Sequence, residues 1–113
     1  DELNTYVLNV SLDDISTVSS CYVVAPKAGT LTRIYSVIDG TIGTADAVIT
    51  ANVNGGSNVT QTLTIANGSN AGIKDDCTPA DNNTVAAGEF IQLTTNGAST
   101  NSVSAVFSLV ITH

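Results

Sequence analysis

APKAGTLTRIYSVIDG, residues 25–40, carries the pattern on which the fold turns. A corner of small residues leads to Gly29, a run of branched and aromatic side chains follows, and Asp39-Gly40 closes the unit. Side chains alternate between the two faces of a strand. Leu31, Arg33, Tyr35 and Val37 therefore share one face, and Ile34 and Ile38 the other. Residues 86–97, AAGEFIQLTTNG, repeat this grammar.

The same alternation recurs on both sides of the stretch. Tyr6, Leu8, Val10 and Leu12 form one apolar set, Ala47, Ile49, Ala51 and Val53 another, and Val59, Gln61, Leu63 and Ile65 a third. Ile91 and Leu93 add a pair, and residues 20–24 (SCYVV) a short branched run. The final set is Val103, Ala105, Phe107, Leu109 and Ile111, with Val106 and Val110 on the reverse. Such a strand is either central in a sandwich or covered by a second subunit, since an exposed one invites edge-to-edge pairing. No window repeats apolar residues at helical spacing. Asp39-Gly40, Asn54-Gly55, Asn67-Gly68 and Asn96-Gly97 are turn dipeptides that tolerate positive φ. The reading is all-β: one antiparallel, jelly-roll-like β-sandwich over residues 1–113, with seven or eight short strands. Residues 67–83 read as a long irregular loop, of the kind that is functional or an assembly contact.

The 113-residue chain is 42% hydrophobic and only 12% charged, while Ser, Thr and Asn fill 38 positions. Neutral polar groups therefore cover much of its surface. Ten acids against Lys27, Arg33 and Lys74 give a net charge of −7. Three scattered cations cannot form the basic patch that nucleic acid or an anionic membrane surface requires. No apolar run approaches the ~20 residues of a membrane helix, and no leader pattern is visible.

Reactive chemistry is sparse. His113 is the one histidine and sits at the end of the sequence, so Ser-His-Asp and Cys-His schemes lack a base. Asp13-Asp14 and Asp75-Asp76 are adjacent pairs, and neighbours in a strand point to opposite faces, so neither makes a glycosidase pair. Asp75, Asp76 and Asp81 share the 67–83 segment with Asn82 and Asn83, an oxygen-rich cluster of the type calcium accepts, although the spacing fits no regular calcium loop. Cys21 and Cys77 are either two buried thiols or one disulfide, which would close a loop of about 56 residues worth roughly 4 kcal/mol in the chain-entropy model. Zinc wants four ligands and finds too few. No catalytic, cofactor-binding or metal residue is assigned, and the chain reads as a non-enzyme. Of the five aromatics, Tyr6, Tyr35 and Phe107 run in phase with aliphatic neighbours, which makes core packing their default.

Residues 23–55 (VVAPKAGTLTRIYSVIDGTIGTADAVITANVNG), 63–72 (LTIANGSNAG) and 80–100 (ADNNTVAAGEFIQLTTNGAST) resemble small virion proteins of tailed bacteriophages. The shared features are an AP-x-AG corner, a DG-x-I-x-TADA hairpin, a G-S-x-x-AG loop, and an NTVAAG strand start followed by an acid and x-I-x-L. The similarity covers about four-fifths of the chain. It implies a capsid decoration (cement) protein of jelly-roll type, with no enzymatic activity and no cofactor. The implied partner is the major capsid protein, the implied assembly a homo-oligomer with a trimer favoured, and the implied place the capsid exterior, after assembly in the host bacterial cytoplasm. By analogy, residues 1–5 form a candidate N-terminal arm on the shell. The cysteines fall outside the pattern, so nothing about them carries over. Ile34, Ile38, Val106 and Val110 are the candidate subunit-interface residues. The alternative is a receptor- or glycan-binding β-sandwich of a tail fibre, pilus or surface layer, using residues 67–83.

Overall fold

In the computed structural model, which describes residues 4–113, strand β9 (Ala105–Thr112) organises the first sheet. It lies between β1 (Thr5–Leu12) and β3 (Gly29–Ile38), with β6 (Lys74–Cys77) at the far edge of β3. The two-residue β7 (Thr84–Val85) pairs with the start of β3. Ala105, Phe107, Leu109 and Ile111 are all 0% exposed, which places β9 as a central strand. Their inward partners on β1 are Leu12, which is buried, and Val10, Leu8 and Tyr6, which are partly buried against the core.

The second sheet runs β2 (Ser19–Val24), β8 (Phe90–Thr95), β4 (Ala47–Val53) and β5 (Leu63–Ile65). Ile91, Leu93, Ile49, Leu63 and Ile65 face the first sheet from it and close the core. An order of β1-β9-β3-β6 over β2-β8-β4-β5 is a jelly roll. There are nine strands among the described residues, one more than the expected upper count, and β6 and β7 are the two that no alternating set foretold.

Three local differences from strict alternation have physical causes. The register of β3 on β9 shifts between Leu31 and Arg33, leaving Thr32 as an extra residue. Leu31 therefore turns inward with Ile34 and Ile38, while Arg33, Tyr35 and Val37 face out. Asn83 holds this bulge: its backbone oxygen accepts from the Leu31 N–H at 2.8 Å, and its buried Nδ2 donates to the Leu31 carbonyl at 2.7 Å. The third apolar set is shorter than its alternation suggests, because Gln61 takes φ 72° and its amide oxygen accepts from the Thr78 N–H at 2.8 Å. The segment 67–83, expected to be irregular throughout, contains edge strand β6.

The turn dipeptides also differ in use. Asn54 and Gly55 take φ 53° and 80°, as a primed turn requires, whereas Gly40 does not have positive φ. Asn54-Gly55 stays within the second sheet, between β4 and β5, whereas Asp39-Gly40, Asn67-Gly68 and Asn96-Gly97 turn corners from one sheet to the other. Asn96-Gly97, for example, links β8 of the second sheet to β9 of the first.

Candidate binding faces

The residues expected at a subunit interface divide into two pairs. Ile34 and Ile38 are each 2% exposed and belong to the chain's own core, so they offer nothing to a neighbour. The bulge at Thr32 sets that phase. Val106 and Val110 do face outward, on the solvent side of β9, where Val106 is 47% exposed.

Cross-strand register builds the surface around them. Val110 is flanked by Val7 on β1 and Arg33 on β3, and Val106 by Ser11 and Val37. Between these two rungs lies a polar one, Asn9, Ser108, Tyr35 and Asp76, in which the Ser108 hydroxyl donates to Asn9 Oδ1 at 2.8 Å. Arg33 lies 5.5 Å over the Tyr35 ring, donates to its hydroxyl at 3.3 Å and meets Asp76 at 3.4 Å. The outer face of the first sheet is thus open and apolar at Val7, Val110, Val106 and Val37, with the Arg33 guanidinium beside Tyr35 and Asp76 at one side.

The outer face of the second sheet has a different chemistry. Its residues on β2 are Ser20, Tyr22 and Val24, on β8 Phe90, Gln92 and Thr94, and on β4 Val48, Thr50 and Asn52. None is charged. Tyr22 is 60% exposed and meets Phe90 edge-on, ring centres 5.4 Å apart. Gln92 sits between strands, its amide donating to Ser20 Oγ and Tyr22 Oη, both at 3.1 Å, while its oxygen accepts from Asn52 at 3.2 Å. Tyr22 and Phe90 are the two of the five aromatics to which the sequence pattern assigned no place. The signal available was that Tyr22 runs in phase with Ser20 and not with Cys21 and Val23.

The oxygen-rich segment does not converge. Asp75 points inward and Asp76 outward from β6, and Asn83 turns into the chain to hold the bulge. No three of His, Cys, Asp and Glu gather at metal-binding distance among the described residues. Burial raises the pKa of Asp75, with the Asp76 charge adding to it. Asp14 is shifted the other way, its carboxylate accepting from the Ser16 hydroxyl at 2.6 Å and backbone N–H at 2.9 Å in the β1–β2 loop. That loop borders an open cleft of about 400 Å³ lined by Ser11, Asp13, Asp14 and Thr17.

Cys21 and Cys77 are free thiols. They cannot bridge: β2 and β6 stand at opposite edges of the sandwich, three strand spacings or roughly 14 Å apart, beyond the ~7 Å reach of a disulfide. Burial pushes both thiol pKa values up to about 11, and the Asp76 charge adds to the effect at Cys77. His113 packs against the Tyr6 ring at 5.7 Å and donates its backbone N–H to Asn4 at 2.6 Å. Of the candidate arm, Asn4 and Thr5 are tied to the sheet, Thr5 by pairing with Thr112. Residues 1–3 lie outside the described residues.

No protein-family model matches the sequence, and no curated protein matches it. The fold itself is shared with solved structures. A chain of the capsid of Helicobacter pylori bacteriophage KHP30 aligns at TM-score 0.61 and 13% identity over 96% of this chain and 87% of its own. A chain of the cyanophage Pam1 capsid asymmetric unit aligns at TM-score 0.55 and 19% identity, over 96% and 84%. The carbohydrate-binding module CsCBM6-3 from Clostridium stercorarium, solved with cellobiose, aligns at TM-score 0.58 and 11% identity, over 97% and 83%. At these identities what is shared is the jelly roll.

Proposed function

We propose that this chain is a structural protein of a bacteriophage virion, decorating the capsid exterior as a homo-oligomer, with a trimer favoured, bound to the major capsid protein. The observation that carries the reading is the outer face of the first sheet, where Val7, Val37, Val106 and Val110 are held outward by a fixed register. Apolar groups spaced over a flat sheet suit a broad protein surface, and a low charge density limits the desolvation cost of docking. The likeness to phage capsid chains spans nearly the whole of this chain and most of theirs, which supports a stand-alone role of the same kind. An acidic remainder keeps decorated particles apart in solution. No catalytic step is assigned to the chain, and its place of assembly is the host bacterial cytoplasm.

The test is to add the purified protein to phage heads that lack it and to follow binding and the heads' resistance to heat. Saturable binding with tougher heads is expected, and Val106→Asp should weaken it at least tenfold. Failure to bind, or equal binding by the Val106 variant, refutes the reading. A second reading, glycan recognition, is favoured by the uncharged aromatic face of the second sheet and by the fold shared with a module solved with cellobiose.

A further inference from the structure

We infer that the outer face of the second sheet is a binding platform for a neutral oligosaccharide of pyranose units, centred on Tyr22 and Gln92. The inference does not rest on a capsid role. Tyr22, Gln92 and Asn52 lie directly opposite one another on three adjacent strands. They span two strand spacings, about 10 Å, comparable to two linked sugar rings. The exposed Tyr22 ring is fixed from two sides, by Phe90 edge-on at 5.4 Å and by the Gln92 amide on its hydroxyl at 3.1 Å. A ring held in place can stack on the apolar C–H face of a pyranose with little loss of rotamer entropy.

The amides beside it are preset as well. Gln92 uses its nitrogen on Ser20 and Tyr22 and its oxygen on Asn52, and Asn52 Oδ1 accepts from the Gly55 N–H at 3.0 Å. With Gln92 donating to it, the Tyr22 hydroxyl keeps its own proton to give outward, and Asn52 retains a second N–H. A sugar hydroxyl, at once donor and acceptor, suits both groups. The face has no cation to pair with an anionic glycan, and the net charge of −7 disfavours one further, which selects neutral sugars.

The experiment is an amide NMR titration of the full chain, separately with cellotetraose, maltotetraose and N-acetylchitotetraose, at millimolar sugar. Shifts confined to Tyr22, Asn52, Phe90 and Gln92 are expected for at least one of them, identifying the linkage. Tyr22→Ala should weaken that binding at least tenfold, and Tyr22→Phe, which keeps the ring and removes only the hydroxyl, by less. Tyr22 is exposed, so thermal denaturation should show both variants folded. The inference is overturned if no sugar shifts these resonances, if a sugar binds elsewhere and Tyr22→Ala leaves it unchanged, or if the same resonances move with protein concentration alone, which would make the face a contact between copies. Binding to heads is a separate assay, so either reading can fail without the other.

Discussion

Replacing Asp75 by Asn should stabilise the protein at neutral pH and have almost no effect in acid. Asp75 points inward from edge strand β6, directly opposite Ser36 on β3. Asp75 Oδ2 and Ser36 Oγ are both buried, and neither has a hydrogen-bond partner among the described residues. Opposed side chains in such a pair stand about 5 Å apart at Cβ, and an amide there removes the buried charge while bringing N–H donors that the carboxylate lacks. Each unsatisfied buried oxygen costs about 1–3 kcal/mol. Asp75 is only partly buried, so the gain is put at the lower end, about 1 kcal/mol, or a rise of about 4 °C in Tm for a domain of this size.

The sign with pH follows from the direction of the shift. Burial raises the folded pKa of Asp75, and the Asp76 charge raises it further. Stability from such a group is fully present below the unfolded pKa of ~3.9 and is lost as pH rises through the folded value. Protonated Asp and Asn are near-isosteres, so the two proteins should melt together near pH 3 and separate as pH climbs. Asp14 and Asp39 have lowered pKa values and lose stability in acid, Asp14 through its bonds to Ser16 and Asp39 through its bond to Ser104. Both are common to the two proteins, so their effect cancels in the difference. Calorimetric Tm values of wild type and Asp75→Asn from pH 3 to pH 8 test this. A difference independent of pH, or an Asn variant less stable at pH 7, refutes the reasoning.

The thiols should be present and quiet. With pKa values near 11, on the order of one thiolate in a thousand exists at pH 8, so a disulfide reagent should label the native protein slowly and count two thiols after guanidinium unfolding. A native chain with no titratable thiol would contradict the edge-to-edge separation. Gly97→Ala should cost about 2 kcal/mol, because φ is 68° there and a Cβ would lie 2.6 Å from the Val18 backbone nitrogen. An unchanged urea midpoint would mean that the β8–β9 corner is not as constrained as its geometry requires.

Period-2 alternation was enough to read the class, the single sandwich and most strands, since burial on one face imposes that period. The features it missed are those where another force decides. β6 is KDDC, with no apolar alternation and poor strand formers, and it is a strand because β3 offers an unpaired edge. The bulge at Thr32 leaves no mark in composition, because it is set by Asn83, 52 residues along the chain from its partner Leu31. A one-residue shift changes which side chains face the core. Ile34 and Ile38 consequently lie inside, while Val106 and Val110, on a strand without a bulge, lie where alternation put them. Pairing Cys21 with Cys77 was beyond reach for a like reason: strand order, not spacing along the chain, sets which edges meet.

Strand order also explains why neither binding face is legible as a motif. Tyr22, Gln92 and Asn52 are separated by 70 and 40 residues along the chain and meet only because β8 inserts between β2 and β4. Val7, Val110 and Arg33 likewise meet because β9 inserts between β1 and β3. In a jelly roll each sheet collects strands from both halves of the chain, so a surface site is always discontinuous. The two faces lie back to back across a core about 10 Å thick. A partner seated on the valine face therefore leaves Tyr22 in solvent. The apolar sheet and the neutral aromatic sheet do not compete for one occupant, and a chain docked on a shell through the first still presents the second outward.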